Sequence, residues 1–338
     1  MIKKSEDKVR IGLIGYGAWT RGAYVPAIKR DGRANIISIA APSLKTRNIA
    51  QKELGYKIET FERYEDLLGR TEVDAIMLAV PDFMHETALM FVLKTGLPVL
   101  FEPPISDKRE NIISALKQLL ASPQITQPDL EFRYMPIINR IADIIKKGIV
   151  GNIQNITVEL ESSWGPIPNY DLCNVNHLAT WYVDMINNII DAKPNRILVI
   201  DGYGTPGRRQ SHNLAVLDYG NILGTFKVNI TSVGELKIVI EINGSDGDIY
   251  IDILTGNFSY RNHNNPKLLK ESCPAIQPYA DWPGMHEGFS AFIDDVILGK
   301  QRKTIDKETT AQLHLVGLAA EASKDSGNWA DIMSVDNL

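Results

Sequence analysis

The chain has 338 residues, 44% hydrophobic and 23% charged, with 36 Lys+Arg against 41 Asp+Glu and a formal net charge of -5. That length suits two domains, each with its own core, and the average composition excludes disordered and collagen-like chains. The mild acidity, with no basic stripe to neutralise phosphates, excludes nucleic acid as the main partner.

The charged start, with Lys3, Lys4, Lys8 and Arg10, is followed by an apolar run that reaches only from Ile11 to Ile14 before Gly15. A secretory h-region needs about 7–15 apolar residues and a membrane helix about 20. The expectation is a soluble, cytoplasmic protein with no membrane partner. Cys173 and Cys273 are the only cysteines. They are too few for a disulfide framework and read as reduced thiols.

In chain order, residues 9–14 read as a strand, 20–30 as a helix, 35–40 as a strand and 44–54 as a helix. Residues 57–60 give a short strand, 64–68 a short helix, 74–80 a strongly apolar strand and 86–94 a helix. A strand at 98–101, a helix at 107–120 and a strand at 129–133 close the series. Apolar, non-alternating strands that alternate with helices mark a parallel sheet covered on both faces, a doubly wound Rossmann arrangement.

After about residue 150 the texture changes. Residues 153–162, 196–203, 214–218, 223–231, 236–242 and 248–253 are strand-like, and several alternate polar with apolar. Alternation gives one buried and one wet face, hence an open-faced, mostly antiparallel sheet with helices on one side. The helices expected there are 136–147 and 177–190. Residues 262–283 hold Pro266, Pro274, Pro278 and Pro283 and read as a long loop, and helices at 285–298 and 308–324 close the chain. The expected division is a dinucleotide-binding domain at 1–130 and a substrate or oligomerisation domain at 131–338.

Gly15, Tyr16, Gly17, Ala18, Trp19 and Thr20 follow the first strand and open the first helix. That is the setting of a dinucleotide loop: the first glycine makes the turn, and the second lets backbone approach the pyrophosphate. Free amides at the helix start then meet the negative charge. Thr20 stands at the third glycine position, so the fingerprint is incomplete. An NAD-preferring fold usually ends the second strand with a carboxylate for the ribose. Here Ala41 and Pro42 stand there, followed by Ser43, Lys45 and Arg47. A hydroxyl and two cations suit a 2′-phosphate, so the expected cofactor is NADP, with NAD as the alternative.

Further motifs follow the later strands: Val80-Pro81 with His85, Glu102-Pro103-Pro104, and Phe132-Arg133-Tyr134 before Pro136. A 148–151 turn, Gly288-Phe289 ahead of Phe292-Ile293, and Glu321, Ser323, Gly327 and Trp329 complete the layout. The whole resembles the Gfo/Idh/MocA oxidoreductases (glucose-fructose oxidoreductase, inositol dehydrogenase, rhizopine catabolism), strongly over residues 9–151. The resemblance implies a Rossmann domain followed by an open-faced sheet domain, with the nicotinamide directed at the cleft between them. It also implies redox chemistry on a hydroxyl or carbonyl carbon of a small sugar-like substrate, and a homodimer or homotetramer formed through the second sheet. Val80, Pro81, His85, Glu102 and Pro103 would then lie along the cofactor.

The departures concern the acid–base groups. The family's Glu-Lys-Pro lysine is replaced by Pro103, which carries no proton. A positioned ammonium would donate to the alkoxide oxygen; proline cannot. In the family's Asp-x-x-x-His-x-x-Asp helix motif, His177 aligns with the first aspartate, Trp181 with the histidine, and Asp184 with the last aspartate. Alternatively His177 is the family histidine displaced by an insertion. His177 and Asp184 are the candidate catalytic residues, with Trp181 as a flat wall. Arg133, Tyr134, Tyr170 and His286 are further cleft candidates. The six dispersed histidines form no metal-ligand spacing, so no metal is expected. The reading is an NAD(P)-dependent oxidoreductase on a hydroxyl, carbonyl or imine substrate. A nucleotide-binding sensor or partner protein, and a reductase resembling biliverdin reductases, stand as alternatives.

Overall fold

The computed structural model describes residues 8–165, 172–202, 212–277 and 279–338. The chain divides into two compact units. The first comprises residues up to Glu131 together with Gln277–Ala311; the second comprises Phe132–Ile276 and Gln312–Leu338. This corrects the expected second domain at 131–338, because Gln277–Ala311 belongs to the first unit. The reason is packing: Met285, Phe289, Phe292 and Ile293 share a core with Ile11, Leu13, Tyr24, Ile28 and Met77.

The first unit runs β1 (Val9–Ile14), a π turn (Thr20–Tyr24) continuing as α1 (Val25–Asp31), β2 (Ala34–Ala40), α2 (Leu44–Leu54) and β3 (Glu59–Phe61). It goes on through α3 (Tyr64–Arg70), β4 (Ala75–Leu78), α4 (Asp82–Thr95), β5 (Val99–Phe101), α5 (Arg109–Ala121) and β6 (Thr126–Pro128). The parallel sheet has the order β3-β2-β1-β4-β5-β6, the doubly wound order of a dinucleotide fold. Both faces are covered, so β4 is buried along its whole length and shows no period-2 pattern. The expected strand at 129–133 is corrected. The edge strand is β6, and Glu131–Tyr134 is a 3₁₀ turn. Polar Thr126 and Gln127 hid β6, although both are buried. The Gln127 amide nitrogen donates to the carbonyl of Gly288 at 3.0 Å, which offsets part of its desolvation.

The second unit contains α6 (Pro136–Lys146), β7 (Ile153–Glu161), α7 (Asn174–Ile190), β8 (Arg196–Asp201), β9 (His212–Asp218) and β10 (Leu223–Asn229). β11 (Lys237–Gly244), β12 (Gly247–Asp252), β13 (Asn257–Asn262) and β14 (Asn265–Ser272) follow. The chain then passes through α8 (Met285–Leu298) of the first unit and α9 (Lys307–Ser326) to β15 (Ala330–Asp331). Nine strands form one sheet, order β14-β13-β12-β11-β7-β10-β9-β8-β15, antiparallel except for β7 with β10. Ile156, Val158 and Leu160 alternate inward on β7. The Tyr182 ring of α7 stacks on Phe226 of β10, with centroids 5.0 Å apart. The loop expected at 262–283 is corrected, because β14 pairs with β13 as an edge hairpin. β14 is exposed along almost its whole length, so it has no apolar pattern to read, and Pro266 is tolerated there because an edge strand has unpaired amides. No helix among the described residues is long and apolar enough to cross a membrane.

Candidate functional site

In the first unit the C-terminal ends of the central strands frame a cleft of about 770 Å³. It lies where the strand order reverses, between β1 and β4, the place where ligands bind open α/β sheets. Its floor is the glycine loop, residues 15–20. Gly15 has φ of 93°, and a Cβ there would stand 1.9 Å from the carbonyl oxygen of Ala79, so neither the conformation nor the space admits a side chain. A Cβ on Gly17 would meet nothing within 4 Å, so this side of the loop is bare backbone facing open space. Thr20 is buried, and its hydroxyl donates to the Gly15 carbonyl at 3.3 Å, tying the loop where the fingerprint has its third glycine. The first helical hydrogen bond runs from Arg21 N to Gly17 O, so the amides just ahead of it are the donors a helix start offers to an anion. Tyr16 closes the loop from behind: its hydroxyl donates to Glu53 at 3.0 Å, and Glu53 also receives Arg21. These features fit a dinucleotide.

The β2 side differs from the sequence reading. Ser43 lines the cleft and caps α2, its hydroxyl accepting from Thr46 N. Arg47 turns away: one guanidinium nitrogen donates to the carbonyls of Ala41 and Pro42, both at 2.8 Å, and another lies 3.5 Å from Glu62. It braces the end of β2. Lys45 is exposed on α2, and neither cation is among the cleft's lining residues. The polar lining residues on this side include Ser43 and Thr46 together with Glu62, Arg63 and Glu65, which the sequence reading missed; Glu62 lies 3.5 Å from Arg47 and Glu65 3.4 Å from Arg63. Arg63 lies two residues after β3, at the strand end where ligands gather, and that position was its signal.

On the β4–β5 side Val80, Pro81, Phe83, Met84 and Glu102 line the cleft. His85 is buried and lies behind this wall. Its Nδ1 is 2.9 Å from the carbonyl of Pro104 and its Nε2 2.8 Å from that of Val80, so it ties the end of β4 to the turn after β5. The Asp82 carboxylate lies 3.8 Å from Nε2. Pro103 is buried, joined to Pro104 by a cis peptide, and takes no part in the cleft wall. Glu102 has Asp129, from the end of β6, as its neighbour. The Asp129 amide donates to the carbonyl of Phe101 at 2.7 Å, and the Trp19 indole donates to the Asp129 carboxylate at 2.7 Å. Burial pushes Asp129 up to about 7, against the pull of Trp19 and Tyr24. Burial, then the charges of Asp129 and Asp82, hold Glu102 well above the usual carboxylate range.

In the second unit His177 lies half-buried in the first turn of α7, its ring centroid 6.2 Å from that of Trp181 one turn on. Asp184 requires a correction. It is 1% exposed, and the Arg133 guanidinium clamps its carboxylate with Nε at 3.0 Å and a second nitrogen alongside. Burial raises its pKa and Arg133 lowers it. A carboxylate so enclosed positions Arg133 and is not open to a substrate. Tyr170 lies outside the described residues. His286 sits in the first turn of α8, away from the cleft wall. Among the described residues no group of three or more His, Cys, Asp or Glu is placed to hold a metal ion.

Residues 9–124 match the GFO_IDH_MocA family, an oxidoreductase family with an NAD-binding Rossmann fold. The Rossmann unit is that of the Gfo/Idh/MocA oxidoreductases. The chain is 31% identical over 147 residues to inositol 2-dehydrogenase of Corynebacterium glutamicum strain R, a match spanning 43% of each chain. It is 22% identical over 273 residues to inositol 2-dehydrogenase of Rubrobacter xylanophilus, spanning 75% of this chain and 74% of that one. Levoglucosan dehydrogenase in complex with NADH and levoglucosan superposes with a TM-score of 0.82 over 96% of this chain and all of its own, at 14% identity. At that identity the likeness is one of fold, and it covers both units.

Proposed function

We propose that the protein is an NADP(H)-dependent oxidoreductase acting on a hydroxyl or carbonyl carbon of a small sugar-like molecule, or on an imine. The observation that carries this is the bare glycine floor of a cleft at the switch point of a Rossmann sheet. Residues 15–20 would hold the pyrophosphate, and Ser43, Thr46 and Arg63 the phosphorylated ribose; β2 ends without a carboxylate, and the carboxylates after β3, Glu62 and Glu65, are paired with Arg47 and Arg63. Val80, Pro81 and Glu102 would lie on the nicotinamide half. When bound, the nicotinamide supplies or takes the hydride. The protein must then move a proton at the substrate oxygen, and the usual lysine is replaced by Pro103. His177, a residue type that titrates near neutrality, is the second unit's candidate for contact with substrate.

Calorimetry tests the cofactor assignment: NADPH should bind more tightly than NADH, and a clear preference for NADH rejects it. Absorbance of the reduced nicotinamide over a panel of polyols, ketoses and imines tests the reaction. Little or no turnover with glucose or myo-inositol is expected. A nucleotide-binding sensor would bind NADPH and turn over nothing in the panel. Self-association through the open face of the second sheet, where Leu223 and Tyr250 are exposed, completes the proposal. Sedimentation of Tyr250→Lys should show a smaller species than the wild type.

A further inference from the structure

The end of β5 and the end of β6 bring two carboxylates together on the nicotinamide half of the cleft. Glu102 N donates to the carbonyl of Leu78 at 3.0 Å, and Asp129 N to that of Phe101 at 2.7 Å. The two residues are therefore held side by side on adjoining strands. Asp129 is sealed, 2% exposed and fixed by Trp19, whereas Glu102 faces the cleft. The groups around Glu102 are Asp129 after β6, Asp82 at the start of α4, and the buried Tyr24 hydroxyl of the π turn. His85, on α4, faces Asp82. Among the described residues no lysine or arginine pairs with Glu102, and the residue next to it, where a lysine would have supplied the charge, is Pro103. A carboxylate enclosed by other acids and open on one side to a ligand is best accommodated as the neutral acid.

We propose that Glu102 is the proton donor of this site, taking over as a carboxylic acid the task that an ammonium performs in the Glu-Lys-Pro arrangement. It rests on the hydride-transfer reading above. In the reductive direction the new C–H bond is made with the hydride. The Glu102 O–H bond breaks, a new O–H bond forms on the substrate's carbonyl oxygen, and Glu102 is left as a carboxylate. Solvent reaching the open cleft restores its proton. A group that rests as the acid is set for reduction; alcohol oxidation needs the carboxylate form. Reduction should therefore be fast at neutral pH and fall as pH rises through the titration of Glu102. This is the same kind of solution as a buried carboxylic acid kept neutral so that it can donate a hydrogen bond.

Infrared difference spectroscopy at pH 7 reads the proton directly. The wild type should show the carbonyl stretch of a neutral carboxylic acid, shifted by ¹³C-glutamate labelling, lost in Glu102→Gln and kept in Asp129→Asn. Labelling assigns the band to glutamate without any substitution, so a Glu102→Gln protein that fails to fold does not stall the test. A wild type with no glutamate acid band, or one that survives Glu102→Gln, overturns the proposal. Single-turnover reduction of 2-keto-myo-inositol by NADPH adds a kinetic arm. Glu102→Gln should slow it roughly 10²–10⁴-fold and flatten its pH profile, with NADPH affinity kept within about threefold. Unchanged reduction in Glu102→Gln overturns the proposal. If the wild type does not bind NADPH, the hydride-transfer reading itself has failed; if it binds NADPH but lacks the band, only the role of Glu102 has.

Discussion

The two halves of the cleft are built differently. On the β1 side the work is done by backbone: a bare glycine floor, a threonine tie and helix-start amides. On the β4–β5 side it is done by side chains: Glu102 and the sealed Asp129, both raised above the usual carboxylate range, and a histidine bridging two carbonyl groups. Backbone recognition tolerates few substitutions: at Gly15 neither the φ nor the space admits a side chain. Side-chain chemistry can be exchanged, here a lysine for a proline, provided another group carries the proton. Binding of cofactor and choice of reaction are thus separable properties of this unit.

The hardest test of the backbone half is Gly17→Asp. Its Cβ has free space, so the variant should fold, but its carboxylate would stand where the pyrophosphate lies. Like charges in contact cost several kcal/mol, and calorimetry should show NADPH binding weakened at least about a hundredfold. Undiminished binding by the folded variant would remove the glycine loop from the site.

Arg133→Ala carries the comparison into the second unit. It strands the enclosed Asp184 carboxylate without its counter-ion, which costs about 3 kcal/mol. Chemical denaturation should register that loss, and Asp184→Asn should cost clearly less. Equal losses would mean that the pair is not the anchor described.

Asp129→Asn probes the protonation of the β4–β5 side. The folded protein holds Asp129 near 7, against roughly 3.9 in the unfolded chain. Between about pH 4 and pH 7 the folded state therefore binds a proton that the unfolded state lacks, and stability falls as pH rises across that window. Asparagine does not ionise, so Asp129→Asn should be more stable than wild type at pH 8, with the difference shrinking toward pH 4. Urea midpoints at both ends measure it. A pH-independent difference would show that Asp129 is ionised throughout.

The smallest effect is expected at Arg63. Arg63→Ala should narrow the gap between NADPH and NADH by on the order of tenfold, the worth of one hydrogen-bonded charge. Lys45→Ala should leave the gap unchanged. The reverse result would restore the α2 cations to the phosphate.

These contrasts also explain what could be read from the sequence. The glycine loop was legible because strand, turn and helix follow one another within a few residues, and the needed backbone is written as Gly15 and Gly17. The boundaries of β1 and α2 were legible in the sequence, and the structure adds the Ser43 cap at the start of α2. β6 was not legible, because Thr126 and Gln127 are buried beside partners far along the chain, the Gln301 side chain and the carbonyl of Gly288. The β13–β14 hairpin was missed for the opposite reason, since an edge strand that buries little has no pattern. Arg47 and Asp184 were placed correctly along the chain but misjudged in role. Where a guanidinium or carboxylate spends its hydrogen bonds depends on carbonyls and partners that sequence spacing does not reveal. Glu102 was taken as a cofactor contact, and its acidic surroundings come from β6 and α4, which only the fold assembles.

The chain leaves the first unit at Glu131 and returns at Gln277 to deliver α8. On the ribosome, Ile11, Leu13, Ile28 and Met77 are therefore made roughly 210–280 residues before the Phe289 and Phe292 that cover them. At about 5–20 residues per second that is a wait of roughly ten to sixty seconds. During that interval the nascent nucleotide-binding unit presents an uncovered apolar face. A chaperone that holds this face, or an N-terminal half that stays molten until α8 emerges, would be the expected companion of its synthesis.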